Sequence, residues 1–181
     1  MLLSTVKQVW NKTCSRSLQF GTRYLDRLSL EADKSSRKRQ HRNIHSSYQD
    51  PCQRLFNAIA VDSYILPHRH ALDPKTETLI AVRGLFALIL FDETGVIVDT
   101  IKFGSEKYAS TEDLASGVEL PSGSWHTVVA LVPGSVLFEV KAGPFNPDQA
   151  KEVALWAPQE GSEEAALYLK NLQVIVQEDK R

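Results

Sequence analysis

Pro67-His68-Arg69-His70 and, further along, Gly117-Val118-Glu119-Leu120-Pro121-Ser122-Gly123-Ser124-Trp125-His126 are the stretches that decide how this 181-residue chain folds. On an extended strand, side chains two apart share a face. His68 and His70 therefore present two imidazoles side by side while Arg69 points away. The loop Ala71 to Thr76 contains Asp73-Pro74, a pair that favours chain reversal, and it returns Glu77 beside the histidines at the start of the next strand. In the second stretch Pro121 and Gly123 make a tight turn that delivers His126 at the start of another strand. Three neutral imidazoles and one carboxylate suit one divalent transition metal, Zn, Fe, Mn, Ni or Co. Four protein ligands leave a position open if the ion is five- or six-coordinate, as a working metal requires. A lone histidine more often serves as a hydrogen-bonding residue, and His41 and His45 can each be read so. The combination of His-x-His, Glu77 after six residues and Gly84 after six more is far more specific.

Outward from these motifs the chain reads as many short alternating strands, near 53–60, 63–70, 77–83, 85–92, 96–103, 117–120, 125–132 and 136–142. Asp73-Pro74, Glu93-Thr94-Gly95, Pro121-Ser122-Gly123 and Pro133-Gly134-Ser135 separate them. Such a pattern implies an antiparallel sandwich or barrel. Residues 104–116 form a polar insertion that loops over one end. Helical spacing flanks the strands: Phe20, Tyr24, Leu28 and Ala32, with Leu25, make one stripe over 19–33, and Ala165, Leu169, Leu172 and Val176 make another over 162–177. The expected organisation is an extension over 1–18, a helix and basic arm over 19–52, a barrel over 53–161 and a terminal helix over 162–181. There is no internal repeat.

Composition narrows the function. A net charge of −1 argues against a general nucleic-acid binder. No apolar run approaches the roughly 20 residues of a membrane span. Cys14 and Cys52 are too few for a disulfide framework and read as reduced thiols of a cytoplasmic protein. From Met1 to Leu25 there is no acidic residue, while Lys7, Lys12, Arg16 and Arg23 are basic. That composition resembles an organellar transit segment, and a poorly ordered extension is the plainer reading.

The two motif segments resemble those of the cupin superfamily. His68, His70, Glu77 and Gly84 match the first motif, and Gly117, Pro121, Gly123 and His126 the second. The six residues between His70 and Glu77 exceed the usual cupin spacing, a difference that an elongated hairpin absorbs. Closer still is the similarity to the cupin-fold metalloproteins of the WbuC family, from about Phe20 to Gly161. It is carried by Arg42-Asn43-Ile44-His45, Gln53-Arg54, Tyr64-Ile65-Leu66-Pro67-His68-Arg69-His70, Trp125 to Leu131, Phe138-Glu139-Val140-Lys141, Gly143-Pro144 and Trp156-Ala157-Pro158. The resemblance implies a mainly β chain, a cupin double-stranded β-helix (jelly-roll barrel) with N- and C-terminal helices. It also implies one metal, a link to bacterial surface polysaccharide synthesis, and a homodimer paired through its sheets.

Around that metal, inward parity from Glu77 gives Leu79, Ala81 and Arg83. Arg83 either meets an anionic ligand or reaches solvent at the strand end. Tyr64 shares the parity of the histidines, as a ligand-facing hydroxyl or a core aromatic with a wet tip. The basic run Arg37 to Arg42 is either a solvated loop or an arm over the barrel mouth. As an arm it adds Arg42, Asn43 and His45, with Arg54, to a site for an anionic or sugar-like small molecule. Pairing through the Pro133-Gly134 turn puts Phe138 and Val140 inside the barrel and Glu139 outside, and a slip of one residue inverts this. Trp125 and Trp156 read as packing aromatics. Two functions fit: an enzyme acting on a sugar nucleotide or sugar acid (an isomerase, lyase or oxygenase), or a metal-dependent binding or regulatory module without turnover.

Overall fold

Alternation of apolar and polar residues is lost in the central strands, because a helix covers their outer face. The computed structural model describes residues 17–108 and 114–179. Helix α1 (Thr22–Lys34) is followed by β1 (Arg39–Asn43), β2 (Cys52–Ile59), β3 (His68–Arg69), β4 (Glu77–Arg83), β5 (Leu85–Phe91) and β6 (Ile97–Gly104). Then come β7 (Gly117–Leu120), β8 (Trp125–Ala130), β9 (Ser135–Ala142), β10 (Glu152–Val153) and helix α2 (Glu163–Glu178). Two five-stranded sheets form, in the orders β1-β2-β9-β4-β7 and β10-β3-β8-β5-β6. All of their strand pairs are antiparallel. The jelly-roll with flanking helices expected from the sequence is the architecture observed.

Three apolar layers follow from this arrangement. Between the sheets, Ile59, Leu79, Ala81, Leu120 and Leu137 meet Phe86, Leu88, Phe103, Val128 and Ala130. Outside the second sheet, Ala87, Ile89, Phe91, Trp125 and Val129 pack beneath Ala165, Leu169, Leu172 and Val176 of α2. Outside the first, Phe56, Ala58 and Val136 pack beneath Leu25, Leu28 and Ala32 of α1. The run Leu85 to Phe91 is apolar almost throughout because it serves two of these layers. Helix α2 begins at Ser162, whose hydroxyl accepts from the Ala165 N–H at 3.2 Å, with Glu163 and Glu164 in the favourable first turn.

The structure differs from the sequence expectation in four places. First, Arg39–Asn43 of the basic run is a strand paired residue by residue with β2, so the arm is part of the barrel wall. Second, residues 63–67 are not a strand, and β3 is only His68–Arg69. Third, the parity of β9 is inverted. Val136 and Phe138 turn outward under α1, while Leu137, Glu139 and Lys141 turn inward. The apolar residues were the outer ones here because a helix, not water, covers that face. Fourth, a register shift between Ala81 and Arg83 takes Arg83 out of the inward series. Its guanidinium instead donates to the Gly134 carbonyl at 2.8 Å and the Ser29 hydroxyl at 2.6 Å, and pairs with Asp26 at 2.6 Å. It clasps α1 to the barrel. The expectation for residues 1–16, and Cys14 with it, lies outside the described residues, as do residues 109–113 of the polar insertion. Cys52 is an exposed free thiol.

Glu160 ties the β1 side to the segment before α2. It accepts from Arg39 Nη2 at 2.5 Å and from Arg37 Nε at 3.0 Å. Partial burial pushes its carboxyl up, but the two guanidiniums outweigh that and hold it below the usual glutamate value. A depressed folded pKa stabilises the protein above the unfolded value, about 4.3, and that contribution is lost as the pH falls through the folded value. Glu160→Gln is expected to lower unfolding free energy by about 2 kcal/mol at neutral pH. Chemical denaturation from pH 7 downward should show the gap closing below about pH 4.

Gly84 has φ of +90°, and a Cβ there would stand 2.1 Å from Ser135 Oγ and 2.8 Å from Ser135 Cα. Gly123 has φ of +78° with nothing within 4 Å of such a Cβ. Gly84→Ala should therefore cost about 3 kcal/mol or more, and Gly123→Ala about 1 kcal/mol. Equal losses in thermal unfolding would show that backbone conformation, not the approach of β9, makes Gly84 necessary.

Candidate metal centre and ligand cavity

The β3–β8 pairing sets His68 directly opposite His126. The loop after His70 crosses from one sheet to the other and brings Glu77 to the same end of the barrel, and the turn before β8 is pinned there by Gly123 N–H donating to the His70 carbonyl at 3.2 Å. One ring nitrogen from each of His68, His70 and His126 lies within 4.8 Å of the others. Glu77 Oε2 is 3.3 Å from His70 Nε2 and 3.9 Å from His126 Nε2. Arg69 points away, as the alternation requires. It pairs with Glu152 and Glu93, both at 2.8 Å, and lies over the Trp125 ring at 4.5 Å.

Each of the three rings is oriented by a backbone carbonyl. His68 Nδ1 meets the Leu66 carbonyl at 3.0 Å, His70 Nδ1 that of Ala150 at 2.5 Å, and His126 Nδ1 that of Ser124 at 2.9 Å. A carbonyl accepts only, so each Nδ1 carries the proton and each Nε2 offers its lone pair. Burial holds the His68 and His126 imidazoles below their ordinary value, favouring the neutral form that a metal needs. His70 Nε2 is buried without a hydrogen bond. Burial alone would raise the Glu77 carboxyl, but His70, Lys141 and His126 hold it well below the usual carboxylate range. This donor set fits a divalent transition metal.

A cavity of about 270 Å³ opens from these residues. Its wall is built by inward alternates of the strands: Arg39, His41 and Asn43 of β1, Gln53, Leu55 and Asn57 of β2, and Glu139 and Lys141 of β9. Residues 144–153 strap the mouth and contribute Phe145, Ala150 and Lys151. Asn57 Nδ2 donates to Glu139 Oε1 at 2.7 Å. Burial first, and then the charge of Glu77, push the Glu139 carboxyl up to about 7 against the pull of Asn57 and Lys141. His41 is reached by solvent through the mouth, yet enclosure and the charges of Arg39, Arg37, Lys151 and Lys141 push its imidazole down to about 4. Two more buried polar atoms of lining residues lack partners, His45 Nε2 and Asn57 Oδ1.

Of the residues singled out from sequence, the structure brings together His68, His70, Glu77 and His126, with Asn43 and His45 on the same cavity. The other four lie elsewhere. Arg42 is on the outward parity of β1, paired with Glu31 and stacked over Tyr24 at 5.3 Å. Arg54 is outward on β2, near Asp50 at 3.7 Å. Tyr64 is buried under α2, its hydroxyl donating to the Pro158 carbonyl at 2.9 Å. Arg83 holds α1. Sequence reasoning missed Arg39, Asn57, Glu139, Lys141 and Lys151. For β9 the alternation shows that Glu139 and Lys141 share one face, but not which face turns inward.

Residues 20–103 match a family described as a domain of unknown function, DUF6016. Among curated proteins no sequence matches the chain. Among solved structures, protein SO0799 from Shewanella oneidensis is similar with a TM-score of 0.51 at 15% identity, over 78% of this chain and 85% of that one. KdgF from a Halomonas species gives 0.45 at 16%, over 61% and 83%. Oxalate decarboxylase from Bacillus subtilis gives 0.46 at 15%, over 64% and 27%. At 15% identity the likeness to SO0799 is one of fold. With its two facing antiparallel sheets and the histidines at one mouth, the chain has the cupin fold.

Proposed function

We propose that this chain is a metal-dependent cupin enzyme that acts on a small anionic, carbohydrate-type ligand, a sugar acid or sugar nucleotide. One divalent transition metal would be held by His68, His70, His126 and Glu77. The observation that carries this reading is the convergence of three imidazoles whose Nδ1 atoms are each tied to a carbonyl, leaving three Nε2 lone pairs for one ion. When bound, such a metal polarises a ligand oxygen or activates a water. The protein's own groups supply the remainder. Lys141, 3.3 Å from Glu77 Oε1, favours the ionised form of Glu77 as a ligand. Glu139 faces the same cavity without belonging to the ligand set, and Asn57 fixes one of its oxygens. A carboxyl so placed can hold or deliver a proton during turnover. The WbuC resemblance supports a place in bacterial surface polysaccharide synthesis. The second reading, a binding or regulatory module, shares the metal and the cavity but has no use for Glu139.

Elemental mass spectrometry of the purified protein should find about one equivalent of a single metal, lost in the His68→Ala/His126→Ala double variant. No metal after reconstitution would overturn the reading. On a panel of sugar acids and sugar nucleotides, Glu139→Gln should keep the metal and lose turnover by about 100-fold or more. Wild-type protein that holds metal and binds these compounds without converting any would favour the binding module.

A further inference from the structure

More recognition chemistry lines the cavity than the metal ligands account for. Arg39, His41 and Asn43 face it from β1, Arg37 joins them from the preceding turn, and Lys151 from the strap. Four cations, Arg37, Arg39, Lys141 and Lys151, thus line one cavity together with His41, and the charge of each acts on its imidazole. Their protein partners do not use up that charge. Glu160 alone serves both Arg37 and Arg39, and Glu77 serves Lys141. Lys151 makes no hydrogen bond or ion pair among the described residues. Arg37 and Lys151 are also accessible from solvent.

Further along the lining are the two orphaned polar atoms, His45 Nε2 and Asn57 Oδ1, in residues only 8% and 4% exposed. Buried polar groups without partners are rare in folded proteins and call for a ligand or an ordered water. An amide oxygen can only accept, so Asn57 Oδ1 asks for a hydroxyl or N–H from whatever fills the cavity. Size sets the other limit. A volume of about 270 Å³ is just below the range of small-molecule sites, which run from about 300 to 1,000 Å³. That is room for one monosaccharide-sized molecule, with any nucleotide left outside the mouth.

We infer that Lys151, Arg37 and Arg39 around His41 form an anion subsite separate from the metal, and that the ligand is a monosaccharide-sized polyhydroxy anion. Its charged group docks on this cluster, and its hydroxyls meet Asn57 and His45 and extend toward the histidines. The metal-cupin reading is needed only for the far end of that ligand. The charged group is a carboxylate or a phosphate monoester, since both accept charge-assisted bonds from guanidinium and ammonium groups. This refines the earlier choice: the acid or phosphate of a single sugar is the substrate class, and a nucleotide is not what the cavity recognises.

The test is titration calorimetry of the full chain, metal-loaded, with glucuronate, gluconate, glucose-6-phosphate and glucose. At least one anion should bind, at least about tenfold more tightly than glucose, with an affinity that falls as salt rises. Lys151→Ala should weaken that anion about tenfold and leave glucose unchanged, and Lys151→Arg should restore most of the loss. The preference between carboxylate and phosphate probes identifies the source of the charge. No binding by any anion, or anion affinity unchanged in the Lys151→Ala/Arg37→Ala double variant, would overturn the subsite. Affinity lost only in His126→Ala would place the charge on the metal instead, and also overturn it. Metal content measured on the same samples separates the two ideas. Metal-free protein that still binds anions through Lys151 would sink the metal reading and keep the subsite.

Discussion

Everything in this molecule depends on the central strands of both sheets being covered on their outer face by a helix. An antiparallel barrel can leave its outer surface wet, and its strands then alternate cleanly. Here α1 covers the outside of one sheet and α2 the outside of the other. The inner faces are thereby released from supplying all of the apolar burial. At one end they close on Phe86, Leu88 and Phe103, and at the other they carry His126, Glu77, Asn57, Glu139 and Lys141. Placing that many polar groups inside a small barrel is affordable only because apolar area is buried elsewhere, beneath the helices.

Within the polar end, charge is arranged so that no acid stands alone. Glu77 is surrounded by His70, His126 and Lys141 and stays ionised. Glu139, one step further along the inner face, has Asn57 as its hydrogen-bond partner and feels Glu77 as a like charge. Two carboxyls in one cavity are thus driven apart in acidity by their neighbours, the pattern that separates a ligand from a proton carrier. Carbonyl groups at Leu66, Ala150 and Ser124 do the equivalent for the histidines by choosing a tautomer.

The four residues proposed to hold the metal were legible in the sequence because they sit where local rules are strict. His68 and His70 share a strand face, and Pro121 and Gly123 force the turn before His126. Gly84 was legible for the same reason, since only a residue without Cβ fits against Ser135. The other half of the cavity was not, and the causes are specific. The parity of β9 depends on which face a helix covers, and nothing local to Val136–Val140 records that. A bulge removed Arg83 from its series. Tyr64 left the histidine parity because residues 63–67 run to Pro67 without ladder partners, and Pro67 has no N–H to donate. Arg39 and His41 were hidden in a charge run that looks solvated, although its alternate members face inward once β1 pairs with β2. Lys151 lies on a strap with no periodicity to read.

That strap has one more consequence. The Ala150 carbonyl sets the ring of His70, and the very next residue offers its ammonium to the cavity. Surface connections ordinarily accept insertions and deletions with little effect. This one is held in register by Glu152 and Val153 pairing with β3, so a single residue gained or lost before it would turn one of the two groups away from its place. Its length is therefore under the same constraint as a strand of the core, and variation in related chains should concentrate in composition and avoid changes of length.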